Sequence, residues 1–330
     1  MSQSKKKRMA DRPVEKAPGS KATDSDQKGR RTPYIIIASV VVAVILIIFG
    51  FFYNQEYVAP FRRTIITVDG TSIDMGYFLK RTRLAGADPF VMLNTLTNEL
   101  LIKQGAPRYV GEVTPEDIDR ELRRIARGGS ETISESEFKE WYRQQLNETR
   151  FSESEYREIL HTRLLAVRLH EYLAERVPTV AEQVHLHIIL FETYEDAEKI
   201  RARWEAGEDF ADLAREASID ELSREKGGDI GWLPRGVMES TFDYVAFSLS
   251  PGDVSETLPY VSEPSSTQVL YYLLMVSEKA DARELDEDSL QRLRDGVLED
   301  WLSEGKKFYE ISFNFNSEIY AWLNWQLSKE

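Results

Sequence analysis

Cysteine is absent from the 330 residues. This absence excludes disulfide bonds, thiolate metal sites and a lipid anchor carried on cysteine, and it spares an exported domain oxidative mispairing. No internal repeat is visible either. A nucleotide-phosphate loop is also missing, because the glycine-rich turn Gly227-Gly228-Asp229 is followed by a strand-like segment and not by a lysine.

Basic residues are unevenly distributed along the chain. Residues 1–33 hold ten Lys and Arg against four acidic residues, whereas the other 297 residues hold 32 against 52. A basic tail next to an acidic body favours opposite sides of a membrane over a nucleic-acid partner. We therefore expect a disordered, basic, cytoplasmic tail over residues 1–32, and no nucleic acid among the partners.

One long apolar run follows the tail. Tyr34 to Tyr53 is twenty residues without a charge, long enough to cross a hydrocarbon core about 30 Å thick. Arg30 and Arg31 precede the run, which predicts a cytoplasmic N-terminus. A cleaved signal peptide is the alternative, but the preceding segment is long and no small-x-small cleavage site follows. The prediction is a single-pass transmembrane helix over residues 33–53, with the lipid bilayer as a partner and the C-terminal domains extracytoplasmic.

Helix start signals dominate the region after this run. A short strand, Thr64 to Val68, first ends at Asp69-Gly70, a dipeptide typical of a type I′ hairpin turn. Four helices are then predicted from their caps. The caps are two residue pairs that end in proline and two capping boxes: Asp88-Pro89, Thr114-Pro115, Ser134-x-x-Glu137 and Ser152-x-x-Glu155.

The C-terminal residues contain an amphipathic helix over 285–305, a β-like run from Ile311 to Phe315, and a last helix that carries Trp322 and Trp325. Such a short segment cannot bury its aromatic side chains alone. We therefore expect it to pack against another part of the chain.

The residues between these two helical regions have a different pattern. Val184 to Leu190 alternates as a strand and carries His185 and His187 on one face. The segment then passes through four further features: Ser218-Ile219-Asp220, the turn Gly227 to Trp232, Met238 with Phe242, and the β-rich run Val269 to Val276. In this order and spacing, the residues resemble a parvulin-type peptidyl-prolyl cis/trans isomerase domain, which we assign to residues 179–280.

The first helical region resembles the chaperone region of the exported foldases of the SurA, PpiD and PrsA class. In that class a short strand and turn, here Val68 to Ile73, precedes a small helical bundle. The resemblance implies a helical chaperone-like domain over residues 54–178. It also implies that residues 281–330 form a C-terminal helical segment that packs back on this domain.

The parvulin resemblance further implies a site. His187 matches a first-strand histidine of the family and Asp220 matches a catalytic acidic position, whereas Tyr272 stands where the family has its second histidine. The Tyr272 hydroxyl is able to hydrogen-bond His187, so these three residues are the predicted catalytic group. The predicted substrate-binding wall, which receives the proline ring, is Ile230, Met238 and Phe242.

Rotation about an X–Pro bond requires neither a cofactor nor a metal, and none is predicted. His185 and His187 share a face, but no thiolate accompanies them, so His185 is interpreted as structural. The loop Phe191 to Asp196 is acidic and lacks Lys and Arg, which argues against phosphate-dependent recognition.

The predicted fold class is α+β: an N-terminal transmembrane helix, a helical chaperone-like domain completed by C-terminal helices, and an inserted parvulin-like domain with a small antiparallel sheet. The predicted function is a membrane-anchored, extracytoplasmic prolyl isomerase and foldase that acts on X–Pro bonds of unfolded or newly exported proteins. The alternative is a non-catalytic chaperone, or polypeptide-binding module, with a degenerate parvulin domain. Tyr272 favours that alternative, whereas His187 and Asp220 favour the enzyme.

Overall fold

The computed structural model describes residues 31–261 and 268–329, with side chains described from residue 37 onward. The chain divides into two compact units, Met1–Arg63 and Thr64–Glu330. Almost all of the predicted tail lies outside the described residues, as do residues 262–267.

The first unit contains one long helix, α1 (Arg31–Tyr53). A π-helical turn, Asn54–Val58, and a 3₁₀ turn, Ala59–Arg62, extend it. In the described part of the chain, this is the one helix long and apolar enough to cross a membrane. The predicted apolar helix is therefore present.

The second unit opens with a three-stranded antiparallel sheet. Strands β1 (Thr64–Val68) and β2 (Thr71–Asp74) form a hairpin, and β7 (Ile311–Phe313) pairs with the other edge of β1. Asp69 and Gly70 both have positive φ, 44° and 79°, as the central residues of a type I′ turn require. The Asp69 carboxylate also accepts a hydrogen bond from the Glu310 backbone N–H at 2.7 Å. The hairpin turn thus holds the incoming end of β7.

Among the described residues, two helices contact this first sheet, and further helices pack on those two or on one another. The helices of this part of the chain are α2 (Met75–Ala85), α3 (Pro89–Gly105), α4 (Pro107–Val110), α5 (Pro115–Arg127), α6 (Glu135–Thr149), α7 (Glu153–Ala174), α12 (Glu287–Gly305) and α13 (Ser317–Leu327). The predicted capping boxes at Ser134 and Ser152 are formed, and Thr114 forms a third with Asp117. Two helices were missed in the sequence, the four-residue α4 and the longer α2. The Asp74 side chain caps α2 by accepting from the Tyr77 N–H at 2.8 Å.

The second sheet has four antiparallel strands in the order β4-β3-β6-β5. The strands are β3 (Val180–Phe191), β4 (Asp229–Pro234), β5 (Leu258–Tyr260) and β6 (Leu270–Glu284). Four helices accompany them: α8 (Tyr194–Glu205), α9 (Phe210–Ala217), α10 (Glu221–Arg224) and α11 (Ser240–Ser248). Together with the first sheet, this arrangement confirms the α+β class with small antiparallel sheets.

Each face of the second sheet has its own hydrophobic core. On one face, Ile189, Phe191 and Leu273 pack with residues of α8 and α9. On the other face, Leu186, Leu274 and Val276 pack with Phe242, Ala246 and Phe247 of α11. We call these the α8/α9 face and the α11 face. Because side chains alternate along β3, neighbouring residues of this strand belong to different faces.

Candidate functional site

The α11 face carries a cluster of aromatic side chains. Phe242 lies edge-on to Tyr272 and to Tyr260, with ring centroids 5.2 Å and 5.9 Å apart, and the two tyrosine rings are 5.4 Å apart. Phe242 is buried, whereas both tyrosines are half-buried. Edge-to-face contacts at this spacing stabilise aromatic pairs beyond the area they bury. The cluster therefore forms an apolar surface that includes two half-buried tyrosine rings.

Strand pairing brings Asp220 to the edge of this cluster. Leu190 in β3 lies opposite Tyr272 in β6, and its carbonyl accepts a hydrogen bond from the Ile219 N–H at 2.9 Å. The Leu190 N–H in turn donates to the Ser218 hydroxyl at 3.2 Å. These two bonds fix the chain immediately before Asp220 beside the Tyr272 end of the sheet.

The two polar groups at this edge interact electrostatically. Burial raises the pKa of Tyr272, and the neighbouring Tyr260 and the Asp220 carboxylate raise it further. The Tyr272 hydroxyl is therefore a protonated hydrogen-bond donor at neutral pH. Asp220 is also the N-cap of α10, where it accepts hydrogen bonds from both the N–H (3.1 Å) and the hydroxyl of Ser223. Its position is thus set by the start of a helix.

Met238 and Phe242 both contribute to the α11 face, as the predicted wall requires. Their spacing is not that of one helix, however, because α11 begins at Ser240 and Met238 lies in the preceding loop. Ile230 differs from the other two predicted wall residues. It lies where the pairing of β4 with β3 is irregular and is 36% exposed, outside the packed cluster.

His187 is separated from the rest of the predicted catalytic group. It lies between Leu186 and Ile188, which both pack on the α11 face, and directly opposite Met275, which packs on the α8/α9 face. Alternation along β3 therefore directs His187 away from Tyr272. Its Nε2 atom lies 3.2 Å from the Ser277 hydroxyl oxygen. The hydrogen bond expected between Tyr272 and His187 is therefore not formed in this structure: His187 Nε2 contacts Ser277, its Nδ1 has no partner, and Tyr272 lies opposite Leu190.

A second polar cluster surrounds His187. His185 Nε2 lies 2.9 Å from the Asp229 carboxylate, and the two histidine rings are 5.3 Å apart. The His185 ring stacks on Trp232 at 5.3 Å. Burial opposes ionisation of Asp229, but the Gly231 N–H and His185 outweigh it and hold the pKa of this carboxyl below its usual value. Asp229 is therefore ionised at neutral pH.

No role was predicted from the sequence for four residues of these clusters: Ile188, Tyr260, Asp229 and Ser277. Ile188, next to His187 in β3, is the residue that packs on the α11 face. The Leu-Pro-Tyr alternation of β5 is a signal that would have placed Tyr260 on the same face as Leu258. Asp229 is opposite His187 only because β4 pairs antiparallel with β3, and the sequence carries no direct signal of that register.

Comparison with protein families gives one match to this part of the chain. The family described as "Rotamase: PPIC-type PPIASE domain" matches residues 191–278. The matched range includes Asp220, Tyr272 and the whole of α11. It starts four residues after His187.

Curated relatives are foldases. The chain is 32% identical over 171 residues to "Foldase protein PrsA" of Oceanobacillus iheyensis, covering 49% of this chain and 54% of that protein. It is 35% identical over 123 residues to "Foldase protein PrsA" of Bacillus subtilis, covering 37% of this chain and 38% of that protein. The chain thus spans about half, or less, of the length of these relatives.

Solved structures with similar chains include the crystal structure of PrsA from Bacillus anthracis. That structure is 20% identical in sequence, with a TM-score of 0.37, and the match covers 72% of this chain and 96% of the other. The solution structure of NmPin, the parvulin of Nitrosopumilus maritimus, is 30% identical with a TM-score of 0.25, and the match covers 30% of this chain and 98% of the other.

Proposed function

We propose that this chain, which carries a parvulin domain of the PPIC-type PPIase family, isomerises X–Pro bonds in unfolded polypeptides outside the cytoplasm. The observation that carries the proposal lies inside the family match. There, the apolar surface of Met238, Phe242 and Tyr272 is bordered by one carboxylate, Asp220. This is the combination that prolyl isomerisation requires.

Prolyl isomerisation requires only a modest stabilisation of the transition state by the protein. The amide must lose its partial double-bond character over a barrier of about 18–20 kcal/mol. A thousandfold acceleration lowers that barrier by only about 4 kcal/mol. Met238 and Phe242 would hold the proline ring against a dry surface, which favours binding of the twisted amide. Asp220 would place negative charge near the substrate carbonyl and so disfavour the planar, charge-separated form.

In this proposal Tyr272 acts as a hydrogen-bond donor at the border of the proline surface. Its raised pKa keeps the hydroxyl protonated over the physiological range. His187 has no contact with substrate, because it projects from the opposite face of the sheet. This assignment differs from the one made from sequence, and the two are separable by experiment.

One observation favours the alternative function, a binding module without useful catalysis. The chain has four histidines, and none lies on the α11 face: His161 and His170 belong to α7, and His185 and His187 project from the other face of β3. The site must then work without imidazole. A polypeptide would still bind to the apolar surface of the α11 face, which leaves chaperone activity intact if isomerisation is weak.

A protease-coupled isomerisation assay with unphosphorylated Xaa-Pro peptides tests the proposal. We expect the unit Thr64–Glu330 to accelerate isomerisation, and Asp220→Asn to lower the rate about tenfold or more, because asparagine retains the helix cap but not the charge. His187→Gln is the matched comparison, and it should retain most of the activity. Circular dichroism would establish that both variants fold.

Two outcomes would contradict these assignments. If the wild-type rate equals that of buffer while aggregation of an unfolded client is suppressed, the chain is a binding module. If His187→Gln loses as much activity as Asp220→Asn, the site includes the α8/α9 face and the sequence-based assignment of His187 stands.

The proposed location follows from the first unit. The helix α1 would anchor the chain in the membrane, with the basic N-terminal tail in the cytoplasm and the acidic second unit outside it. Clients would then be unfolded or newly exported polypeptides. Protease added to right-side-out vesicles should remove the second unit and spare the tail.

A further inference from the structure

We propose that His185, His187 and Asp229 bind a divalent transition-metal ion. One potential ligand atom from each of these side chains lies within 4.8 Å of the other two. The three side chains are half-buried. Among the described residues they form a group of possible metal ligands, which the pairing of β3 with β4 brings together. The site is distinct from the proposed isomerase surface, which lies on the other face of the sheet.

One unpartnered nitrogen atom supports this site. The Nδ1 atom of His187 is buried and has no hydrogen-bond partner among the described residues, because this histidine engages its Nε2 atom with the Ser277 hydroxyl. His185 Nε2 and the Asp229 carboxylate lie 2.9 Å apart, and both would turn to the ion in place of their mutual hydrogen bond. A buried polar atom without a partner costs free energy, and a bound cation would remove that cost for a ring nitrogen that carries a lone pair.

The hydrogen bonds of Ser277 favour such a lone pair on His187. The Ser277 hydroxyl oxygen lies 3.3 Å from the His185 carbonyl, to which it donates its one proton, and 3.2 Å from His187 Nε2. His187 Nε2 must then carry the proton of that second contact, so its Nδ1 is the basic nitrogen. A histidine whose other ring nitrogen donates to a neighbouring oxygen has the usual arrangement of a metal ligand.

The backbone is adapted at the same place. The pairing of β3 with β4 shifts between Leu186 and His187, and the pairing of β3 with β6 shifts between His185 and Leu186. Irregularities on both sides of one strand re-aim side chains and are common beside functional sites. The second irregularity leaves Ser277 unmatched in the ladder, which allows its hydroxyl to reach both histidines.

The donor set indicates the class of ion. Two imidazole nitrogens and one carboxylate oxygen suit zinc, cobalt, nickel or copper, whereas calcium and magnesium prefer ligands that are all oxygen. Three protein ligands leave a further position for water. Because the ligands belong to β3 and β4, a bound ion would clamp these two strands together. The sequence predicted no metal because no thiolate accompanies His185 and His187, whereas the third ligand proposed here is the carboxylate of Asp229.

The test is a Zn²⁺ titration of the full chain in detergent, free of any polyhistidine tag and stripped with a chelator. We expect isothermal calorimetry to give one saturable site per chain and the melting temperature to rise with Zn²⁺. Co²⁺ should give visible d–d absorption. His187→Gln and Asp229→Asn should each weaken Zn²⁺ binding at least tenfold. The matched control is His170→Gln on α7, which should leave binding unchanged.

Circular dichroism separates loss of binding from loss of folding in each variant, and His185→Gln provides a second test if either variant unfolds. The proposal is overturned if the wild-type chain shows no saturable Zn²⁺ binding at micromolar concentration. It is equally overturned if binding persists in folded His187→Gln and Asp229→Asn, because the ion then occupies another site.

Discussion

The buried carboxyl of Asp243 shows how one residue couples the stability of the α11 face to pH. It follows Phe242 in α11, is 9% exposed, and accepts a hydrogen bond from the Gly236 N–H at 2.8 Å. Burial raises its pKa, although the Gly236 N–H and the nearby Arg235 oppose the shift. A carboxyl with a raised pKa favours the folded state while protonated, and this contribution is lost as the pH rises through its folded pKa.

We therefore expect Asp243→Asn to stabilise the protein at pH 7, since asparagine retains the acceptor for Gly236 and has no charge to bury. The gain should disappear near the unfolded pKa of about 3.9, where the wild-type carboxyl is itself largely protonated. Thermal melts of both proteins between pH 4 and pH 7 measure the difference. The stability difference, Asp243→Asn minus wild type, should be larger at pH 7 than at pH 4. The opposite order would contradict a raised pKa for Asp243.

For single residues, the sequence predicted the alternation of β3 but did not indicate which face of this strand meets α11. The alternation of Val184 to Leu190 correctly predicted a strand with His185 and His187 on one face. Which face of β3 meets α11 depends on the elements that pack against the strand. Ile188, the residue directly after His187, is the one that packs on the α11 face. A shift of one residue along a strand exchanges the two faces, and no local feature of β3 reports it.

At the scale of an element, the turn into β4 depends on one glycine. Gly228 has φ +80°, and its carbonyl accepts from the Ile188 N–H at 2.8 Å. A Cβ atom at this position would lie 2.4 Å from the Ile188 carbonyl oxygen, so the backbone of β3 would have to move. Gly231 in β4 offers a matched comparison, because its φ is +85° and nothing lies within 4 Å of its Cβ position.

We expect Gly231→Ala to cost about 1–2 kcal/mol, the cost of placing a side chain in a left-handed conformation. Gly228→Ala should cost more, about 3 kcal/mol or above, because the steric clash adds to the same conformational term. Urea denaturation of the two variants measures the difference. Equal losses in the free energy of unfolding would mean that the steric clash with β3 adds nothing to the conformational cost of a positive φ.

Other elements were predictable where the start signal was local. The capping boxes at Ser134 and Ser152 gave the starts of α6 and α7 correctly. Helix α2 was missed because its cap, Asp74, is also the last residue of β2, and Gly76 follows in the first turn. Glycine disfavours a helix interior, and the strand pattern masks the cap. The first sheet needed long-range information, since β7 joins β1 from more than 240 residues away.

On the scale of the whole molecule, the start of β3 and the end of β6 lie side by side. Val180 at the start of β3 pairs with Glu284 at the end of β6, and the Leu285 N–H donates to the Thr179 carbonyl at 2.9 Å. The Gln183 side chain also donates to the carbonyls of Arg283 and Glu284. Chain ends that lie together are typical of a domain inserted into another. The boundaries predicted from sequence, 179–280, stay a prediction, and the pairing indicates that the C-terminal boundary lies a few residues later.

A fragment of residues 178–286 should therefore fold alone and retain the isomerase activity of the second unit. It is long enough to form a core on each face of its sheet, and it contains all four residues of the proposed site: Asp220, Met238, Phe242 and Tyr272. Cooperative unfolding of the fragment by circular dichroism, and its rate in the peptide assay compared with that of Thr64–Glu330, measure both claims. A folded fragment without activity would mean that the helical part of the chain contributes to the site, whereas a fragment that does not fold would show that the two sheets form one cooperative unit.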